Sequence, residues 1–289
     1  MPNRQNVWNN NWEKLKESFP FAGYIRDERM AAYKMVAETV SEFSPPGGKL
    51  LDFGAGPCDK VAILSYLGYN ITAFDDFGDS WHSENQNKEK ILEFCEKIGI
   101  DYYEPNESGA FTFPKGPYDM LLLNGVVEHL HDSPRDLLNS LIEYLQVGGQ
   151  VMITVPNAAN LRKRLSLLFG RTIYARFQYF YWSPGPWRGH NREYVKGDLK
   201  LLAKYLGLTI RKLETFHLLL DRLGPIGRRV FRMLSAFFPG FRDTWILVAE
   251  KPDNWQPRTS LPDEEMLKIL GRQYFDHSTI FDNKQQEDK

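Results

Sequence analysis

Cysteine is scarce. Cys58 and Cys95 are the only two in 289 residues, too few for a disulfide framework and not at CxxC spacing, so a stapled secreted scaffold and a zinc ribbon are excluded and reduced thiols are expected. Long apolar runs are lacking too. No stretch approaches about 18 uninterrupted apolar residues, and the opening MPNRQNVWNNNWEKLKE has no apolar stretch of its own; neither a membrane span nor a secretory signal is expected, which makes the cytoplasm the expected location. Net charge is nearly absent as well, with 36 Lys+Arg against 37 Asp+Glu. Its distribution is uneven: residues 158–242 carry a net +13 and the rest of the chain −14, which points to an anionic partner for the basic third. With 42% hydrophobic and 14% aromatic residues, wholesale disorder is excluded and a sizeable core is expected.

Residues 27–44 carry apolar side chains at helical spacing until Pro45-Pro46-Gly47-Gly48 ends them. Short apolar runs at 49–54, 70–75, 118–124 and 150–155 then alternate with helical patterns at 59–68, 84–98 and 134–146. Continuous runs of that length suit strands buried on both faces, and the alternation is that of a doubly wound, mostly parallel α/β sheet. From Asn157 to Tyr194 the rhythm breaks into a basic amphipathic stretch and an aromatic one (Tyr174, Phe177, Tyr179, Phe180, Tyr181, Trp182, Trp187), expected to form an inserted cap with about half of its aromatics in a small core of its own. A helix at 196–206, a strand at 208–216, a basic apolar helix at 222–238 and a strand at 243–250 follow, the last two strands pairing antiparallel. Beyond Lys251 lies a polar tail with a helical pattern near 262–272. The expected organisation is a helical segment 1–48, a main domain 49–251 and a tail 252–289.

The most informative segment is Leu51-Asp52-Phe53-Gly54-Ala55-Gly56-Pro57-Cys58, a strand that stops on a glycine-rich turn before a helix, where backbone without Cβ lets a ligand approach. A dinucleotide fingerprint would place a third glycine at position 59, which is Asp. Asp52 at the strand end would repel a pyrophosphate but accept hydrogen bonds from an ammonium or hydroxyls, so a nicotinamide oxidoreductase is disfavoured. Asp75, ending the next strand, suits a ribose diol.

With these residues the sequence resembles the class I S-adenosylmethionine-dependent methyltransferases from about Lys49 to Lys251. Tyr118-Asp119-Met120-Leu121, Asn124-Gly125-Val126-Val127-Glu128-His129-Leu130 and Val147-Gly148-Gly149 through Pro156-Asn157 support the likeness. It implies a seven-stranded Rossmann-like methyltransferase fold and S-adenosylmethionine as cofactor. Asp52, Gly54 and Gly56 then wrap its methionine and ribose parts, Asp75 holds the ribose hydroxyls and Asn124 lies near the methionyl end. Asn106 and Glu107 lie in the loop expected to meet adenine, without a sharp motif.

Methyl transfer to a hydroxyl needs a base, and His129, His131 and His190 are placed to supply one, His190 and His129 foremost. For His129 the plainer role is a helix-terminal histidine bonded to backbone; for His190 it is a latch between cap and core. A metal is not expected: quinone-pathway methyltransferases put Glu-x-x-Glu-His after strand four, Gly125 replaces the first carboxylate here, and the adjacent Glu128 and His129, with His131 and Asp132, do not share a helix face.

No Asn/Asp-Pro-Pro-aromatic run follows strand four, so nucleic-acid base methylation is disfavoured and no nucleic-acid partner is expected. The cap resembles that of bacterial methyltransferases of surface sugar and polysaccharide biosynthesis, in Pro156-Asn157-Ala158-Ala159-Asn160-Leu161-Arg162 and in Gly189 to Tyr194. Aromatic faces suit sugar stacking, and Arg162, Arg164, Arg188 and Arg192 suit phosphate or carboxylate. The expected activity is O-methylation of an anionic sugar or glycan. The alternatives are a quinone or lipid-precursor methyltransferase and a non-catalytic partner in a membrane-associated complex. Within 222–238, Ile226, Val230, Leu234, Phe237 and Phe238 face Arg222, Arg228, Arg229 and Arg232; the helix is expected to cover the sheet with its arginines outward, the alternative being peripheral contact with an anionic membrane.

Overall fold

A computed structural model describes residues 4–107, 111, 113, 114, 116–218, 220 and 223–270. Arg222 and the charged end 282–289 lie outside the described residues. Seven strands form one sheet: β1 (Lys49–Phe53), β2 (Asn70–Phe74), β3 (Ile100–Tyr103), β4 (Tyr118–Asn124), β5 (Leu145–Pro156), β6 (Thr209–Phe216) and β7 (Thr244–Glu250), in the order β3-β2-β1-β4-β5-β7-β6. The first five strands pair in parallel, while β7 runs antiparallel to both β5 and β6.

The central strands are buried on both faces, and their side chains alternate between two cores. Leu50, Met120 and Leu122 point to one, packed under α1 (Arg4–Ser18), α2 (Met30–Phe43), α3 (Asp59–Tyr66) and α5 (Asn87–Lys97), with the single turn α4 (Ser80–Ser83) before it. Leu51, Leu121 and Leu123 point to the other, under α6 (Pro134–Glu143) and α9 (Lys196–Tyr205). The N-terminal helices are bonded as well as packed: Trp12 Nε1 donates to Asp27 at 2.7 Å, and the Tyr33 hydroxyl donates to Asp59 at the start of α3. Strand order reverses between β1 and β4, and the crevice at their carboxyl ends is where a ligand binds in such a sheet.

Residues 157–194 leave β5 and return to α9, carrying α7 (Leu161–Leu168) and α8 (Phe177–Trp182). Their two ends are pinned together by a parallel bridge between Asn157 and Tyr194. Asn157 is buried; its side-chain amide donates to the carbonyls of Gly240 (2.9 Å) and Arg242 (2.8 Å), tying the root of this segment to the chain entering β7. Two expectations are corrected here. The cap has no small aromatic core: Tyr174, Phe177, Tyr179, Phe180, Tyr181 and Trp182 are all exposed, because α8 is too short to fold back on a second layer.

The helix α10 (Pro225–Phe237) does not cover the sheet with its apolar stripe. Its protein-facing side is Phe231 and Ser235, with the Ser235 hydroxyl 2.8 Å from His217 Nε2 and the Phe231 ring edge-on to the same imidazole. At about 100° per residue, Ile226, Val230, Met233 and Phe237 lie on the opposite side, in the open. The last helix, α11 (Asp263–Leu270), belongs to the tail, and among the described residues no helix is long and apolar enough to cross a membrane.

Candidate active site

The turn after β1 is held by its backbone. The N–H groups of Gly54 and Ala55 both donate to the Phe74 carbonyl (2.8 and 3.0 Å), stapling the turn to the end of β2. Gly54 has φ +74°, and a Cβ there would meet Val126 Cγ2 at 2.6 Å, so the turns after β1 and β4 approach as closely as they do only because residue 54 has no side chain. Gly54→Ala combines left-handed strain with that clash, and a loss of about 2–4 kcal/mol is expected, seen as a Tm lower by about 5–10 °C; an unchanged melt would show that Val126 yields freely.

Gly56, at φ +52°, has open space where a Cβ would be, and its N–H donates to Asp75 Oδ2 at 2.8 Å. The other Asp75 oxygen accepts the Phe77 N–H, also at 2.8 Å. Burial raises the Asp75 pKa against these two bonds. The Tyr102 hydroxyl donates to the Gly56 carbonyl, and its ring stacks on Phe77.

Asp52 is buried one position from the end of β1, beside Leu122 of β4. Its pKa is pushed up to about 7, by burial first, with the Lys60 ammonium pulling the other way. The Thr154 hydroxyl donates to Asn124 Oδ1 at 3.3 Å, which fixes that amide with its NH2 toward the Asp52 carboxylate, whose pKa it lowers, although neither Asn124 Nδ2 nor the buried Asp52 Oδ1 completes a hydrogen bond. A buried donor and a buried acceptor lacking partners at the head of the crevice are the complement of an amino acid's carboxylate and ammonium. Asn106 and Glu107 follow β3 and are exposed.

A strap of the cap, residues 187–192, is stitched across the turn after β4. His129 Nδ1 lies 2.8 Å from the Arg188 carbonyl, and His131 Nε2 2.7 Å from that of Trp187. The Asn191 and Arg192 N–H groups donate to the Glu128 carbonyl, and the Asn191 amide donates to the His129 carbonyl. The Arg188 guanidinium reaches the far lip, covering Gly78 and standing 3.6 Å from Asp76, next to Asp75. The strap therefore spans the crevice from the β4 side to the β2 side.

Under it the two leading histidines meet, with the His129 and His190 rings edge-on at 4.8 Å. His190 Nδ1 lies 3.0 Å from Glu193 Oε1, and Glu193 also pairs with the buried Lys163. Arg188 and Asn191 make the hydrogen-bonded latch, while His190 bonds within its own segment and meets the core through the His129 ring. His129 has a backbone partner, but across the strap.

Residues 24–213 match the sequence model of a methyltransferase-domain family. The chain belongs to that family. No curated protein matches the sequence. Among solved structures, a protein from Pyrococcus horikoshii aligns with a TM-score of 0.50 at 14% identity, covering 78% of this chain and 92% of its own. A SAM-dependent methyltransferase from Archaeoglobus fulgidus gives 0.49 at 18%, covering 83% and 99%. The cyclase SpnF gives 0.50 at 14%, covering 86% and 95%. At these identities the likeness is one of fold, and a cyclase among the neighbours marks it as a fold that hosts more than one chemistry.

The cofactor of this methyltransferase is S-adenosylmethionine, and the residues at the crevice fit it: unpartnered Asp52 and Asn124 for the amino-acid end, and an Asp75 carboxylate with lone pairs left for a diol. Because the ionised form of Asp52 accepts from an ammonium, binding of S-adenosylhomocysteine should tighten as pH rises through about 7. An affinity about tenfold higher at pH 8 than at pH 6 is expected in calorimetric titration, and a flat profile in Asp52→Asn. A slope surviving in the variant would assign the effect elsewhere.

Glu128, weighed from the residues only as a ligand for a metal, stands inside the site. It is buried with Oε2 unpartnered, and burial pushes its pKa up to about 7. Ligand atoms of Glu128, His129 and His190 lie within 4.8 Å of one another and could hold a metal ion. The adjacency argument against a metal is corrected in this respect: 127–129 form a 3-10 turn, and the third group comes from the cap, whereas His131 and Asp132 stay outside the cluster. Lys60, whose Nζ donates to the Asn124 carbonyl at 3.3 Å, and Tyr102 were not anticipated, since each acts across a long sequence separation.

Proposed function

We propose that the protein is an S-adenosylmethionine-dependent O-methyltransferase acting on a sugar or glycan-type acceptor that carries phosphate or carboxylate. The observation that carries this reading is a cleft of about 800 Å³ within the cap, whose lining includes Arg162, Arg176 and Arg192 together with Tyr174, Trp187 and His190. Guanidinium forks suit an oxyanion and ring faces suit a pyranose, and His190 lines the same cleft.

S-adenosylmethionine, when bound, supplies a methyl group on a sulfonium centre. The chain's own work is to hold the acceptor, take its proton and keep water out. Burial, then His129 and Lys163, lower the His190 pKa to about 4, so the imidazole is neutral at physiological pH. With Nδ1–H donated to Glu193, the lone pair is on Nε2, which takes the acceptor's hydroxyl proton as the oxygen attacks. Glu193 then faces the imidazolium, and Arg188 across the crevice restricts water.

Incubation with methyl-labelled S-adenosylmethionine and a panel of nucleotide sugars, sugar phosphates, lipid-linked glycans and quinone-type phenols tests the reading. Label in an anionic carbohydrate is expected, and unaffected by chelators. The Glu128, His129 and His190 cluster favours one second reading, methylation of a quinone precursor with metal assistance; label in the phenols alone, lost with a chelator, would establish it instead.

A further inference from the structure

Three helices leave apolar side chains in water together. Leu168 and Phe169 at the end of α7, Trp182 at the end of α8, and Ile226, Met233 and Phe237 on α10 are 58–82% exposed, far more large apolar surface than singly scattered residues present. The helices are neighbours. The Arg164 guanidinium of α7 lies over the ring of Phe241, which packs on Phe238 just beyond α10, and residues of α7 and of the 173–179 segment line the same cleft.

The charge around these side chains has one sign. There is no Asp or Glu from Tyr144 to Arg192, nor from Leu223 to Arg242, while Arg162, Arg164, Arg171, Arg176, Arg228 and Arg229 fall in those stretches. On α10, Arg229 and Arg232 lie along one side of the apolar stripe, with Arg228 exposed nearer the attached side, and the stripe itself points away from Phe231 and Ser235, the residues that attach the helix to the protein. Apolar residues in the middle, arginines at the flank and Trp and Tyr among them form the pattern of a helix face lying in the headgroup and acyl boundary.

A second copy of the chain is a poor occupant: a two-fold contact through this patch would set arginines against arginines. We propose that α7, α8 and α10 form a docking face for an anionic lipid bilayer. Because Arg162, Arg176 and Tyr179 belong both to these segments and to the wall of the cap cleft, docking brings the cleft to the headgroup layer. The assignment does not use the methyl-transfer reading and stands or falls apart from it.

Flotation of the full chain with phosphatidylcholine vesicles, with and without phosphatidylglycerol, is the test. Binding to the anionic vesicles is expected, weakened at least tenfold by 0.5 M salt and by the fully surface variant Ile226→Ser/Phe237→Ser. Arg228→Glu/Arg229→Glu should lose it as well. Both variants should keep the wild-type melting temperature and affinity for S-adenosylhomocysteine, which separates lost docking from lost folding or a failed cofactor site. Wild type that stays with the soluble fraction at low salt would overturn the proposal. So would a sedimentation-velocity dimer that Ile226→Ser/Phe237→Ser converts to monomer, since the face would then be an interface between copies.

Discussion

Asp75→Ala is expected to weaken S-adenosylhomocysteine binding about 100-fold or more, with the protein still folded. Two effects add. The variant removes a carboxylate placed to accept from a ribose diol, where charge-assisted hydrogen bonds are worth about 1.5–3 kcal/mol each. It also releases the N–H groups of Gly56 and Phe77, both at 2.8 Å from the carboxylate, so the two loops that form the crevice lose their shared anchor. A loss of about 3 kcal/mol corresponds to roughly 100-fold in affinity. Asp75→Asn should be nearly as damaging, because an amide has one accepting oxygen and would turn its NH2 toward one of those two N–H groups. Parallel titrations of wild type and both variants, with melts as a check on folding, decide it. Unchanged affinity in Asp75→Ala would remove this residue from the cofactor site.

The parts of this architecture that were legible in the sequence are those where local chemistry and tertiary position coincide. KLLDF and YDMLLLN are apolar on both faces because both faces are covered; Gly54 stands where positive φ and close approach leave no other choice, and Gly56 where positive φ favours glycine. The short β3, IDYY, carried too little pattern to be placed from the residues alone. Contacts across the sheet were not legible either: nothing local ties Lys60 to Asn124, or Arg188 to Gly78 and Asp76. The α10 case is the most instructive. Its apolar stripe has the same periodicity whether it faces the sheet or the solvent, and the orientation is decided by two residues off the stripe, Phe231 and Ser235, meeting His217. Likewise the aromatics of 174–182 look like core by composition, but a single short helix cannot enclose them.

The histidine pair gives the second large effect. His190→Ala is expected to lower kcat by about 10²- to 10⁴-fold, the range of a lost general base, while acceptor KM and S-adenosylhomocysteine affinity change little. Position separates it from His129: His190 lines the cap cleft, while His129 lies behind it with Nδ1 on the Arg188 carbonyl. His129→Ala should therefore act through the strap, raising the acceptor KM more than it lowers kcat. The pH profile supplies an independent reading. A histidine held at about 4 is unprotonated at every pH well above that value, so the acid limb of kcat/KM should not show the inflection near 6.5 of an unperturbed imidazole. Glu193→Gln keeps an acceptor for Nδ1 but strips the buried Lys163 of its counter-charge and leaves the developing imidazolium without one. It should lower kcat about tenfold or more, by withdrawing the charge that the proton transfer creates a need for. Full activity in His190→Ala together with loss in His129→Ala would move the base one ring inward; full activity in both would mean an acceptor that attacks without giving up a proton to the protein, and so a nucleophile other than a hydroxyl.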